Sequence, residues 1–269
     1  MPLHTQINLA LLAGSFTFCM ALGITGHLLR KKDGGLPPVP LFPGSKFPDF
    51  FATFYTVFFV LTFGAAAAAQ CMGTPEETEP DTLSLISNAI VQTALYLPFL
   101  IIYFTLPGRN LPPVPLLRKL CWLFFGLLAL FVPAMLIEWT GFTNYLIEWT
   151  DCPVQQDVVT ELAKGSVPAQ IIMLVMAVII APVTEECCFR GFVYNILKQK
   201  SSPVWAGVGS AFLFSAVHTS LAHFVPLAIF GLVQCYMYEK SRTLWVPVIL
   251  HMLFNALNCL FILLYSASL

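Results

Sequence analysis

The sequence predicts an all-α fold, a polytopic membrane helix bundle of about eight transmembrane helices. Three observations carry that prediction. Hydrophobic residues make up 58% of the chain and charged residues only 10%, with a mean hydropathy of +0.80, well outside the soluble globular range. The apolar residues fall in continuous runs of about 20, each long enough at about 1.5 Å per residue to cross a hydrocarbon core of about 30 Å. Because the runs are continuous rather than alternating, a β-barrel is excluded. Finally, the basic residues gather on alternate loops, as short cytoplasmic loops do.

The first span, Ile7–Leu29, has no basic region ahead of it and reads as a true span rather than a cleavable signal. After it comes "KKDGGLPPVPLFPGSKFPD", whose glycines and prolines mark a connector. The second and third spans, Phe50–Cys71 and Leu83–Leu106, flank the acidic loop "GTPEETEPD". "PGRNLPPVPLLRK" then leads into the fourth, Leu120–Leu136. Both "LPPVPL" stretches, Leu36–Leu41 and Leu111–Leu116, read as stiff extended linkers. "LIEWT" occurs at Leu136–Thr140 and again at Leu146–Thr150, opening an acidic loop, Glu138–Lys164, with Trp139 and Trp149 placed for headgroup depth. The remaining spans are Val167–Leu197, Val204–Leu221, Phe224–Tyr238 and Leu244–Leu264. Residues 1–269 are expected to form a single transmembrane domain, with its chemistry concentrated in a core over 181–258.

Of the thirteen Lys and Arg residues, all but Lys164 and Arg190 fall on one set of alternate loops. Those loops carry Arg30, Lys31, Lys32, Lys46, Arg109, Arg118, Lys119, Lys198, Lys200, Lys240 and Arg242 and are expected to be cytoplasmic, which leaves both termini non-cytoplasmic. The net charge of −1 gives no sign of a nucleic-acid partner, and none is expected. Cysteine usage points away from a disulfide framework, because Cys19, Cys121, Cys187, Cys188, Cys235 and Cys259 lie inside spans. Cys71 and Cys152 share the far face but are expected to be free, apolar-packed thiols.

Against this background "APVTEECCFRGF", Ala181–Phe192, is anomalous: it sets Glu185, Glu186 and Arg190 within a span. Two further spans carry polar groups at overlapping depth. "FSAVH" places Phe214 and His218 four apart on the sixth, and "HMLFN" places His251 and Asn255 four apart on the eighth. Singly, a histidine or asparagine in a span is often packing or interhelical glue. Two carboxylates, two imidazoles, an amide and a guanidinium at one depth cost too much to be packing alone. Glu186 and Arg190, spaced i to i+4 with the acid first, are placed to form an ion pair. Glu185, rotated about 100° from its neighbour, is then left to face the other helices and take a proton from water. The bland alternative is that both acids bind Arg190.

Glu-Glu-x-x-x-Arg, Phe-x-x-x-His and His-x-x-x-Asn, in this order on separate membrane helices, resemble the CPBP family of intramembrane proteases, which includes type II CAAX prenyl endopeptidases and bacterial relatives linked to bacteriocin processing and self-immunity. The likeness covers roughly Ala181 to Asn258. It implies an eight-helix topology and a glutamate-type endopeptidase in which Glu185 and His218 activate a water. His251 and Asn255 would form an oxyanion hole, with Glu186, Arg190 and Phe214 in support. The implied substrate is a membrane-associated protein or peptide, or a prenylated CAAX-type C-terminus, met in the lipid bilayer. Cys187 and Cys188 depart from the bulkier apolar residues usual at those positions and revive a cysteine-protease reading. Against it, a thiol in apolar surroundings is inert unless a base touches it.

No cofactor and no metal are expected. The competing readings are a zinc-dependent intramembrane metalloprotease with Glu185, His218 and His251 as ligands, a non-catalytic membrane scaffold or immunity protein, and a transporter with a glutamate proton relay. The chain lacks the His-Glu-x-x-His spacing of common zinc proteases and any inverted repeat in its hydropathy. Because His251 lies only about 13 Å along its helix from the basic face, the scissile bond is expected to enter from the cytoplasmic leaflet.

Overall fold

A computed structural model describes residues 3–32, 90, 115–150, 162, 165–218 and 220–266. The second and third expected spans (save Ile90), both Pro-rich connectors, Cys71, Cys152 and most of the acidic loop lie outside the described residues. Among the described residues the ordered elements are all helical, as predicted. In chain order they are α1 (Leu3–Lys32), α2 (Leu116–Trp139) and α3 (Phe142–Thr150), then a continuous helical rod over 167–200. The rod is built from α4 (Val167–Val175), a π-helical step π1 (Met176–Ile180), α5 (Ala181–Glu186), a second step π2 (Cys187–Val193) and α6 (Tyr194–Lys200). α7 (Pro203–Val217), α8 (Phe224–Ser241) and α9 (Trp245–Ser266) complete the described bundle.

Among the described residues three helices, Leu116–Trp139, Val167–Lys198 and Trp245–Leu264, are long and apolar enough to cross a membrane. Their boundaries follow local chemistry. Ser202 caps α7 by accepting from the Trp205 amide, and Pro203 occupies the first turn, where an N–H has no helical partner anyway. Arg242, at φ 57°, closes α8 in the left-handed conformation and donates its amide to the Tyr238 carbonyl. Gly141, at φ 70°, turns the chain between α2 and α3. That turn leaves Trp139 and Trp149 exposed at 85% and 60%, as residues placed for a lipid–water boundary would be.

The apolar surface divides into two populations. Phe124, Phe125, Leu128, Val132, Phe261 and Leu264 are exposed and suit contact with lipid, whereas Phe189, Phe192, Tyr194, Phe214, Phe230 and Leu250 are buried between the rod, α7, α8 and α9. Close crossings bring these helices together. A Cβ on Gly231 of α8 would lie 2.8 Å from the Ala211 Cα and 2.9 Å from its Cβ on α7, nearer than real Cβ atoms approach. Gly231→Ala should therefore push α7 from α8 and lower stability by about 1–3 kcal/mol, read as a fall in thermal midpoint in detergent micelles. An unchanged midpoint would show that this crossing is slack.

Candidate active site

The polar residues of the rod sit among others that settle its backbone. A π step leaves carbonyls without their usual amide four residues on, and in a membrane such carbonyls need another donor. In π2 the Asn195 carboxamide donates to the Arg190 and Gly191 carbonyls at 2.8 and 2.9 Å, and Ser210 Oγ of α7 donates to the Phe189 carbonyl at 3.3 Å. Thr184 Oγ1 donates to the Ile180 and Ala181 carbonyls at 2.8 and 3.0 Å. In π1 the Ala177 carbonyl accepts from Asn255 Nδ2 of α9 at 2.8 Å.

Glu186 and Arg190 are both fully buried and paired at 2.8 Å, the i to i+4 geometry anticipated from their spacing. Arg190 also donates from Nη2 to the Gly231 carbonyl at 3.2 Å, and its guanidinium lies over the Phe214 ring at 4.7 Å. The same Glu186 Oε1 accepts from His251 Nδ1 at 3.0 Å and sits 3.5 Å from Gln234 Nε2. One carboxylate oxygen thus faces donors from the rod, α8 and α9.

Glu185 turns the other way. Its Oε2 is 3.9 Å from His218 Nε2 and 4.0 Å from His251 Nε2, and its side chain keeps 12% exposure. Arg190 makes its hydrogen bonds to Glu186 and Gly231, so the two acids occupy different surroundings rather than sharing one guanidinium. His218 Nδ1 lies 2.7 Å from the Phe214 carbonyl. A carbonyl only accepts, so Nδ1 carries a proton, and in the neutral form of the ring Nε2 is left with its lone pair toward Glu185. Phe214 therefore supports the site twice, through its carbonyl and through its ring, whose centroid is 4.7 Å from that of His218 and 6.2 Å from that of His251.

Glu185, Glu186, Arg190, Phe214, His218 and His251 are brought together, Asn255 lies one helical turn beyond His251 with its amide on the Ala177 carbonyl, and two features differ from expectation. The sequence predicts a sixth span through Leu221, but α7 ends at Val217, making His218 its C-cap instead of a mid-helix residue. Ser215 competes there, donating its hydroxyl to the Phe224 carbonyl while its own carbonyl accepts from the His218 amide. Gln234 went unnoticed. It is fully buried, donating to the Pro247 carbonyl at 3.1 Å, one turn before His251. An isolated amide amid "FVPLAIFGLVQCYMY" is the signal that would have found it, since polar residues in spans face the bundle interior.

Cys187 and Cys188 are buried, free and packed within the apolar core. Among the described residues no three His, Cys, Asp or Glu side chains are gathered so as to hold one metal ion. On the approach to His251 from the basic loop, Leu244 and Val248 are buried.

The rod, α7, α8 and the site-bearing part of α9 are also where a known family aligns. Residues 167–257 match the family described as Type II CAAX prenyl endopeptidase Rce1-like. This Rce1-like stretch is about a third of the chain and contains all three motifs. A Bacillus subtilis (strain 168) protein named "Putative membrane peptidase YdiL" is 28% identical over 96 residues, 36% of this chain and 39% of that one. An Escherichia coli protein named "Uncharacterized 24.3 kDa protein" is 33% identical over 104 residues, 37% of this chain and 48% of that one. The similarity thus spans less than half of either relative's length. No solved structure matches the chain at a significant level. The Rce1-like match and the peptidase relative agree with the family resemblance carried by the three motifs.

Removing the charge from Glu186 leaves Arg190 buried without its anion. Glu186→Gln is expected to cost about 3–5 kcal/mol, as breaking a buried pair does, and to reduce the yield of folded protein. Equal thermal midpoints for Glu186→Gln and wild type would refute this role for the pair.

Proposed function

We propose that the chain is an intramembrane endopeptidase that hydrolyses a peptide bond of a membrane-associated substrate with a water activated by Glu185 and His218. The observation that carries the reading is the placement of the Glu185 carboxylate opposite the His218 Nε2 lone pair at 3.9 Å. That separation exceeds a direct hydrogen bond, yet one water can reach both groups at about 2.8 Å each. The carboxylate takes a proton from this water, and the resulting hydroxide attacks the scissile carbonyl. Collapse of the tetrahedral intermediate then breaks the C–N bond as Glu185 passes the water's proton to the leaving nitrogen, releasing a carboxylic acid and an amine.

The developing oxyanion needs donors already in place. Asn255 spends one amide proton on the Ala177 carbonyl and has a second to offer. His251 faces Glu186 through Nδ1, and its Nε2, 4.0 Å from Glu185 Oε2, would supply the second donor when it carries a proton.

The reading requires no metal. In a tetrahedral zinc site, with bonds of about 2.0–2.1 Å, neighbouring ligand atoms lie about 3.4 Å apart. The wider separations of 3.9 and 4.0 Å at Glu185 support water rather than zinc between these groups. Burial of Cys187 and Cys188 in apolar packing supports leaving the thiols out of the chemistry. The basic loops favour both termini on the non-cytoplasmic side.

Two fluorescence-quenched peptides, one with a farnesylated CAAX-type C-terminus and one unprenylated, presented to the protein in proteoliposomes, test the reading. Wild type should cleave at least one of them. Glu185→Gln should lower the rate by about a hundredfold or more while thermal stability stays near wild type, since the base is lost and the shape kept. Substantial cleavage by Glu185→Gln would defeat the assignment. Cys187→Ala and Cys188→Ala should each reduce the rate only modestly, and phenanthroline should inhibit weakly. Total loss in the cysteine variants would restore a thiol mechanism, and stoichiometric zinc in active protein would replace this reading with a metal one.

A further inference from the structure

A primary amide on a helix has several rotamers, and its two ends are alike in size, so an oxyanion donor such as Asn255 needs something to hold it. Its anchor is the Ala177 carbonyl at 2.8 Å. A main-chain carbonyl in the middle of a membrane helix is ordinarily taken by the amide four residues on. For Ala177 that amide belongs to Ala181, which instead donates five residues back, to the Met176 carbonyl, closing the π step. The next amide that could serve Ala177 in the π pattern would be that of residue 182. Residue 182 is proline and has no N–H.

We propose that Pro182 is a positioning residue for catalysis. By withholding a backbone donor from the Ala177 carbonyl, it leaves that oxygen to capture one N–H of Asn255, which fixes the carboxamide and leaves its second N–H for the substrate oxygen. Pro182 is buried and precedes Glu185 by three residues, so one short stretch, Ala177–Glu186, both orients the oxyanion donor and carries the base. That Asn255 acts on an oxyanion rests on the endopeptidase reading. The coupling of Pro182 to Asn255 through Ala177 does not.

The test compares wild type, Pro182→Ala, Asn255→Ala and the double variant in proteoliposomes, using whichever quenched peptide wild type cleaves and Glu185→Gln as the inactive control. Pro182→Ala restores an N–H to the rod, so its thermal midpoint should equal or exceed that of wild type. Its kcat should nevertheless fall by about tenfold to a hundredfold, the scale of a misplaced oxyanion donor, with KM within about twofold. In the Asn255→Ala background the proline substitution should lower kcat no further. An unchanged kcat, a loss that multiplies that of Asn255→Ala, or a loss accompanied by a lower thermal midpoint would each overturn the proposal. Should Pro182→Ala not accumulate, Pro182→Ser restores the same N–H, and failure of both to fold also overturns it. If wild type cleaves neither peptide, the endopeptidase reading fails. The thermal midpoints then decide the coupling: shifts from Pro182→Ala and Asn255→Ala that combine non-additively support it, and additive shifts reject it.

Discussion

One carboxylate oxygen, Glu186 Oε1, is the point on which the remaining geometry depends. An unpaired charge in a bilayer interior is costly, and Arg190 four residues on makes Glu186 tolerable there. Once the pair exists it recruits partners. The guanidinium reaches the Gly231 carbonyl on α8, and the carboxylate receives His251 from α9. Gln234, held against the α9 backbone at Pro247, closes the third side. Three helical elements are thereby set in register around one ion pair, and Glu185, the residue just before it, inherits its position opposite His218.

Much of this was legible in the residues because the bilayer makes polar groups conspicuous. Glu185, Glu186, Arg190, His218, His251 and Asn255 stand out from apolar runs, and the i to i+4 spacing of Glu186 and Arg190 states their pairing directly. Helix type was equally plain, since continuous runs of this length admit no other spanning structure. The division between the two glutamates followed from helical rotation alone.

Other features were hidden, for identifiable reasons. Hydropathy reports burial in lipid, not hydrogen-bond register, so the two π steps in the rod left no trace in it. They are settled by side-chain amides and a hydroxyl, Asn255 of α9 for one, and Ser210 of α7 with the rod's own Asn195 for the other. The end of α7 was unmarked too, because no Gly or Pro interrupts the chain between Val217 and Val225 and the short polar run His218–Ser220 is flanked by apolar residues. The chain beyond the cap is tied back to α7 by the Ser215 hydroxyl, which donates to the Phe224 carbonyl. Gln234 was overlooked because a single amide in a span carries no motif, and only its contacts with Pro247 and Glu186 give it meaning.

The early end of α7 also matters to the membrane itself. Fifteen helical residues rise about 22 Å, short of a hydrocarbon core of about 30 Å. A bilayer beside so short an element has to thin or let its polar boundary dip, at a cost of fractions of a kcal/mol per ångström. A boundary that dipped at the end carrying His218 would bring water to the imidazole, the corner where the proposed hydrolysis would consume it.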